Sequence, residues 1–349
     1  MGLRIRSRVL SLLDRVGAIE LAVRAQRVVP FPFLRIVGYH RIGEPGVVAK
    51  DTDEGVVDVT KRDFERHIAF VAGRFDVIDV QRLRRWFVER EPLPKNPALI
   101  TFDDGYRECF DVALPVLERH GVPGVFFVST DHVTRRRAFW WDRIAYLFKK
   151  TAKARATLDY STGDGPLVLE LATASGRERA LDDTLGIVKR TFGLDIDRYL
   201  DDLARALGVP WTADDERRIA DDTIMTWDQL REMRRRGMNV ESHTATHRIL
   251  QTLSEEELVR ELTTSKGTLE AELGEAICAI AYPSGRAVGQ HTPIGRAVRA
   301  AGYDLGFSGS GVCRLGASTD PLDLRRISVD LHEPESTYRA AVVLPPLVF

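Results

Sequence analysis

The sequence predicts an α/β chain folded as a distorted (β/α) barrel of seven strands, with a helical insertion and an N-terminal amphipathic helix. Three observations carry this expectation. Short apolar runs rich in β-branched residues alternate with helical stretches, the rhythm of a parallel sheet wrapped by its crossover helices. Seven such runs occur, which suggests a barrel. The 349 residues, 44% hydrophobic and 29% charged, suffice for a well-buried core and lie far from the composition of disordered chains.

Residues 1–33 come first and read as a basic amphipathic helix. Arg4, Arg6, Arg8, Arg15, Arg24 and Arg27 stand against only Asp14 and Glu20, while Leu10, Leu13, Val16 and Leu21 recur at loosely helical spacing. Two readings stay open: a helix packed on the barrel with a solvated basic face, or a peripheral contact of residues 1–29 with the anionic inner membrane leaflet. The segment has no uninterrupted apolar stretch of roughly 7–15 residues, as a secretory signal requires, and the chain has no run of about 20 that would span a bilayer. A cytoplasmic chain is therefore expected.

The barrel is expected over residues 34–349. Its strands fall at 34–39, 98–102, 124–128, 238–242, 276–282, 304–307 and 327–330, with helices between them at 61–72, 111–120, 227–236 and 254–273. Ser254 followed three residues later by Glu257 reads as a capping box. The stretch 131–222 breaks the rhythm. It is too long for a connection and rich in helix formers and charges, so a helical insertion is expected there.

Fifty Lys and Arg against 51 Asp and Glu leave a net charge of -1, which removes the chain-wide basic footprint of a nucleic-acid binder. The three cysteines, Cys109, Cys278 and Cys313, cannot all pair and show no CxxC spacing. That argues against a disulfide scaffold and a cysteine-built zinc site, and fits a reducing compartment.

Two segments carry chemistry. In Ile100-Thr101-Phe102-Asp103-Asp104-Gly105 an apolar strand ends on two adjacent carboxylates. The carboxyl ends of barrel strands hold the active site, and neighbouring aspartates repel unless they share a proton or a cation. The pair therefore suggests a metal with one carboxylate left free as a base, although Asp-Asp-Gly alone is also a common turn. Residues 239–247 end another apolar strand with His243 and His247 four residues apart. That spacing brings both imidazoles to one side of a helical turn and suits a divalent metal. One aspartate and two histidines make a good zinc set, and three ligands with an open fourth position are the usual catalytic arrangement.

Residues 101–105 resemble the first signature of the polysaccharide deacetylase family (NodB-like, carbohydrate esterase family four). His243-Thr244-Ala245-Thr246-His247 resembles its second, the His-[Ser/Thr]-x-x-His metal motif. Gly38-Tyr39-His40-Arg41 resembles the opening of a bacterial exopolysaccharide-associated branch. The resemblance covers about residues 34–130 and 223–331. It implies Asp103 as catalytic base, and Asp104, His243 and His247 as ligands of a divalent metal, zinc by preference. The third signature, usually Arg-x-Pro-Tyr-Gly, stands here as Ala281-Tyr282-Pro283-Ser284-Gly285. Ala281 thus replaces the arginine that supports the base, while Ser284 keeps the backbone N–H that the family directs at the oxyanion. Arg286 lies too close in sequence to be taken as the substitute. Leu331-His332 matches the fifth signature and makes His332 the candidate acid, but residues 326–329 also resemble the branch whose last strand lacks that histidine.

The activity so implied is removal of N-acetyl groups from amino sugars of a glycan or of a lipid-linked saccharide precursor. Two alternatives remain open: the same machinery acting on another amide, such as a formamide or a cyclic amide, and a catalytically silent glycan-binding barrel, which the missing arginine favours. His40, at a strand end, reads either as facing the pocket or, by preference, as a hydrogen-bonded structural histidine behind the site. Trp140-Trp141, beside Arg135-Arg136-Arg137, reads either as a sugar-stacking lip or as a helix burying its aromatics against the barrel.

Overall fold

Strands buried on both faces dictate the centre of the molecule. The computed structural model describes residues 10–28, 31–161 and 165–349. Seven parallel strands form the wall: β1 (Phe33–Tyr39), β2 (Pro97–Phe102), β3 (Val125–Val128), β4 (Asn239–Ser242), β5 (Ala279–Ala281), β6 (Leu305–Ser310) and β7 (Leu324–Ser328). Each pairs with the next, and β7 returns to β1 through Val37↔Ile327 and Gly38↔Ser328, which closes the ring. The expected seven-stranded barrel is the observed one. A short strand at Asp76–Val77 extends the sheet beside β2, and Cys313–Arg314 runs antiparallel to the start of β1.

Alternation along the strands sorts two cores. Leu34, Ile36, Leu99, Val125, Phe127, Ala279, Ala281, Leu305, Phe307 and Leu324 pack together inside the ring, with Val80 and Leu83 among them. The other faces, such as Val37, Ile100, Phe102, Phe126 and Val240, pack against the surrounding helices. The barrel is thus filled with side chains, and the polar Asn239 and Glu241 that enter it from β4 are bonded to the N–H groups of Val80, Cys278 and Ala279.

Two strands differ from expectation. β5 is limited to three residues, and β7 lies at Leu324–Ser328, three residues before the expected start. Leu324 and Arg326 are both buried while Arg325 is only partly so, so the inward-facing period begins earlier than the apolar run suggests. The insertion holds the helices Trp140–Lys150, Ala174–Arg190, Ile196–Leu207 and Ala213–Thr223, but also an antiparallel hairpin, Arg155–Ser161 with Pro166–Glu170. Buried Ala156, Leu158, Leu169 and Leu171 alternate with exposed neighbours there, the strand period that the charged composition hid.

The N-terminal element is helical over residues 10–15 and again over Ala18–Val28, with a turn at Gly17 (φ 77) between them. It packs beside the helix Glu335–Val343, where Gln26 Nε2 donates to Val343 O at 2.7 Å. Leu10, Ile19 and Val23 face the protein. Val16 and Leu21, expected on the same apolar face as Leu10, point outward instead. Arg4, Arg6 and Arg8 lie outside the described residues. No helix among the described residues is long and apolar enough to cross a membrane.

Candidate active site

β2 delivers the two aspartates to the mouth of the barrel. The Asp103 N–H donates to Tyr39 O at 2.8 Å, continuing the β1–β2 ladder, and the chain then reverses through Asp104 (φ 72) and Gly105 (φ 90). A side chain at Gly105 would crowd Val128, whose Cγ1 lies 3.1 Å from the position of an added Cβ. The turn therefore needs glycine to turn Asp104 away from Asp103.

β4 delivers the histidines. The His243 N–H bonds Val128 O, and its Nδ1 lies 2.9 Å from Ala281 O. A carbonyl only accepts, so Nδ1 carries the proton and Nε2 presents a lone pair. Nε2 of His243 and Nε2 of His247 each stand 3.3 Å from Asp104 Oδ1. The loop that returns His247 uses two left-handed non-glycine residues, Thr244 (φ 66) and His247 (φ 54). Buried Glu261 braces it. Its Oε2 accepts from the N–H groups of Ala245 (3.0 Å) and Thr246 (2.9 Å), and its Oε1 accepts from the Thr246 hydroxyl.

Asp104, His243 and His247 are all buried, with their donor atoms within 4.8 Å of one another. Asp104 Oδ1 has no hydrogen-bond partner in the protein, and neither does His247 Nδ1. Donors about 2.0–2.2 Å from a tetrahedral metal stand roughly 3.3–3.6 Å apart, so an orphaned carboxylate oxygen facing two imidazole nitrogens at 3.3 Å fits a divalent ion. Burial opposes ionisation of Asp104, yet its carboxyl is held well below the usual range, with the charge of His40 among the causes. Burial likewise keeps His247 below the usual imidazole range, in the neutral form that a metal needs.

Asp103 stands apart from this trio and is held by an arginine. Arg326 Nη1 and Nη2 reach its two oxygens at 2.7 Å each, a bidentate fork, while Arg326 Nε donates to Ser308 O at 3.0 Å. Burial would raise Asp103, but Arg326 first, then His243 and His40, outweigh it and keep the carboxylate ionised. An arginine thus reaches Asp103 from β7, where Ala281 on β5 offers none. Arg286, as expected, plays no part here, since its Nη2 donates to Lys189 O on the insertion.

His40 follows β1 just as Asp103 follows β2, and the register Tyr39↔Phe102 sets them side by side. Its Nδ1 bonds Asp58 Oδ2 at 3.0 Å, and its Nε2 lies 3.8 Å from Asp103 Oδ2. The side chain is 41% exposed, so it faces the mouth and is not a structural histidine behind the site. Partial desolvation of the ring would lower its pKa, but Asp58, with Asp104 and Asp103, raises it to about 10.

Ser284 sits exposed at the same mouth in a left-handed turn (φ 59, ψ 14) after β5. His332 is not brought to the cluster. It lies four residues beyond the end of β7, exposed, with its N–H on Asp330 Oδ1 at 2.8 Å. Trp140 and Trp141 are buried, and Trp141 packs edge-on to His247 at 4.4 Å between ring centroids. The buried reading of that pair therefore holds, and Trp141 walls His247.

Fold and site together define a filled parallel barrel with a metal-competent trio and a separately held carboxylate at its carboxyl mouth. A family model described as polysaccharide deacetylase matches residues 90–159 and 196–306, and the chain belongs to that family. No curated protein matches the chain significantly. Among solved structures, the deacetylase PplD of Streptococcus pyogenes, in complex with acetate, is similar at 17% identity and a TM-score of 0.54, over 87% of this chain and 94% of that one. IcaB from Ammonifex degensii is similar at 17% identity and 0.52, over 90% and 97%. A de-N-acetylase from Aggregatibacter actinomycetemcomitans gives 15% and 0.50, over 87% and 97%. These likenesses establish the fold.

Arg326 is the residue that the sequence reading misses as part of the site, while His40, weighed as facing the pocket, is placed behind it by preference. Both carried a signal. An arginine at an inward-facing position of a barrel strand needs a buried anion, and a histidine one residue past a strand end stands at the carboxyl mouth.

Proposed function

We propose that the protein hydrolyses N-acetyl groups from amino sugars of an exopolysaccharide-type glycan or of a lipid-linked saccharide precursor. One observation carries this reading: Asp103, gripped by the Arg326 fork, and His40, bonded to Asp58, face each other across 3.8 Å, beside three metal-competent donors. Two groups at one mouth whose environments push them to opposite protonation states are the arrangement of a base and an acid.

Asp104, His243 and His247 would hold the ion, and zinc suits one carboxylate with two imidazoles. Bound there, zinc would polarise the acetamide carbonyl and lower the pKa of a coordinated water. Asp103 accepts the proton of the attacking water as the C–O bond forms. The Ser284 N–H donates to the oxyanion, as its left-handed turn at the mouth allows. The C–N bond then breaks, and His40 Nε2–H gives its proton to the leaving amine, which departs with acetate as the other product. His40 thus takes the role first assigned to His332. Arg326 supplies the support whose loss favoured a silent barrel, so the active reading is preferred.

The test is release of acetate and free amine from acetylated glucosamine oligomers by zinc-loaded protein, with formylated oligomers in parallel. Turnover of neither substrate would refute the proposal, and turnover of the formyl substrate alone would reassign the acyl group.

A further inference from the structure

The N-terminal helices sort charge onto opposite faces. Asp14 meets Arg339 at 3.1 Å and Glu20 meets Arg74 at 3.1 Å, so both acids of the segment are neutralised against the body of the protein. Leu10, Ile19, Val23 and Gln26 are buried on that same side.

The outward side is different. Leu12, Arg15 and Val16 share one exposed face at i, i+3 and i+4, and Leu21, Arg24, Ala25 and Val28 continue it at i, i+3, i+4 and i+7. Leu12 is 60% exposed, Val16 69%, Leu21 68% and Val28 80%, four of the eleven large apolar side chains left exposed among the described residues. Among the described residues, neither Arg15 nor Arg24 meets a carboxylate. Residues 1–9 add Arg4, Arg6 and Arg8 and no acid.

An apolar stripe that carries unpaired cations complements a surface that is apolar beneath and anionic above. A second copy of the same face would set Arg15 and Arg24 against their own kind, because a two-fold contact is self-complementary. We propose that this outward face docks on an anionic lipid bilayer, with Leu12, Val16, Leu21 and Val28 entering the headgroup region and Arg15 and Arg24 meeting lipid phosphates. Leu10, buried in the protein, takes no part. The inference stands independently of the reaction proposed above.

Flotation of the full chain with phosphatidylcholine vesicles, with and without phosphatidylglycerol, tests it. Binding is expected only with the anionic lipid and should fall as salt rises. Arg15→Gln with Arg24→Gln should weaken it about thirty-fold, equivalent to about 2 kcal/mol. Leu21→Ser with Val28→Ser should abolish it while leaving circular dichroism unchanged, since both side chains are exposed. No flotation of the wild type, equal flotation with neutral vesicles, or indifference to both double variants would overturn the proposal. A dimer that Leu21→Ser with Val28→Ser converts to monomer would assign the face to a second copy instead.

Discussion

Removing the proton donor should cripple one class of substrate and spare another. His40→Ala deletes the imidazole whose Nε2 lies 3.8 Å from Asp103, and His40→Gln keeps a hydrogen-bond donor for Asp58 but has no proton to transfer. Loss of a general acid costs about 10²–10⁴-fold, or about 3–5 kcal/mol of transition-state free energy. That cost applies to an acetamide, whose amine cannot leave as an anion. It should shrink below about ten-fold for an aryl acetate, whose phenolate leaves unprotonated. The assay is kcat/KM for both substrates with each variant and with His332→Ala as the control, which should behave as wild type. The pH profile adds a sign. With its pKa raised to about 10, His40 stays protonated through neutrality, so the rate falls only as pH climbs toward that value. Asp58→Asn removes the largest raising influence, and the alkaline limb should move down toward the ordinary imidazole pKa of about 6.5. Equal loss on amide and ester, or near-normal amide turnover in His40→Gln, would refute the assignment.

Four further outcomes are expected. Asp103→Asn should keep the metal and the fold yet lose about 10²–10⁴-fold in turnover, measured on metal-loaded protein. Elemental analysis should find about one divalent ion per chain, lost in His243→Ala with His247→Ala and weakened in Asp104→Ala. Arg326→Lys replaces a two-pronged fork with a point charge and should cost about 10–100-fold in kcat while leaving metal content intact. Burial raises Glu241 to about 7, against the N–H groups of Cys278 and Ala279 that favour its anion. The native state therefore holds this proton more tightly than the unfolded chain, and stability should fall between about pH 4 and 7 by up to about 1.4 kcal/mol per pH unit. Glu241→Gln should flatten that slope in urea titrations.

The barrel was legible because strands buried on both faces write themselves as short β-branched runs, and the Ser254–Glu257 capping box forms as the spacing predicts. Asp103–Asp104 and His243–His247 were legible because the members of each pair are adjacent or only four residues apart in sequence. Arg326 was not, and His40 only in part, since each acquires its role only by sitting opposite a residue far along the chain. The hairpin at 155–170 was hidden for a different reason: its outer face is charged, and its inner face holds only a few small or medium apolar residues. Leu331-His332 misled because the sequence cannot show where β7 stops, and a strand that ends two residues early leaves His332 in the exposed stretch beyond it.

The fork between Arg326 and Asp103 joins residues 223 positions apart, across the seam where β7 meets β1. A chain folded only as far as β6 has an open barrel, and its Asp103 lacks the guanidinium fork. Closure of the seam and completion of the base are therefore one event. Such long-range pairing is slow to form, because the entropy of the intervening loop is lost before the contact is gained. During synthesis the protein can acquire function only after its last strand has emerged, and any truncation before residue 326 removes the anion's partner along with the strand. The site doubles as a sensor of its own topology.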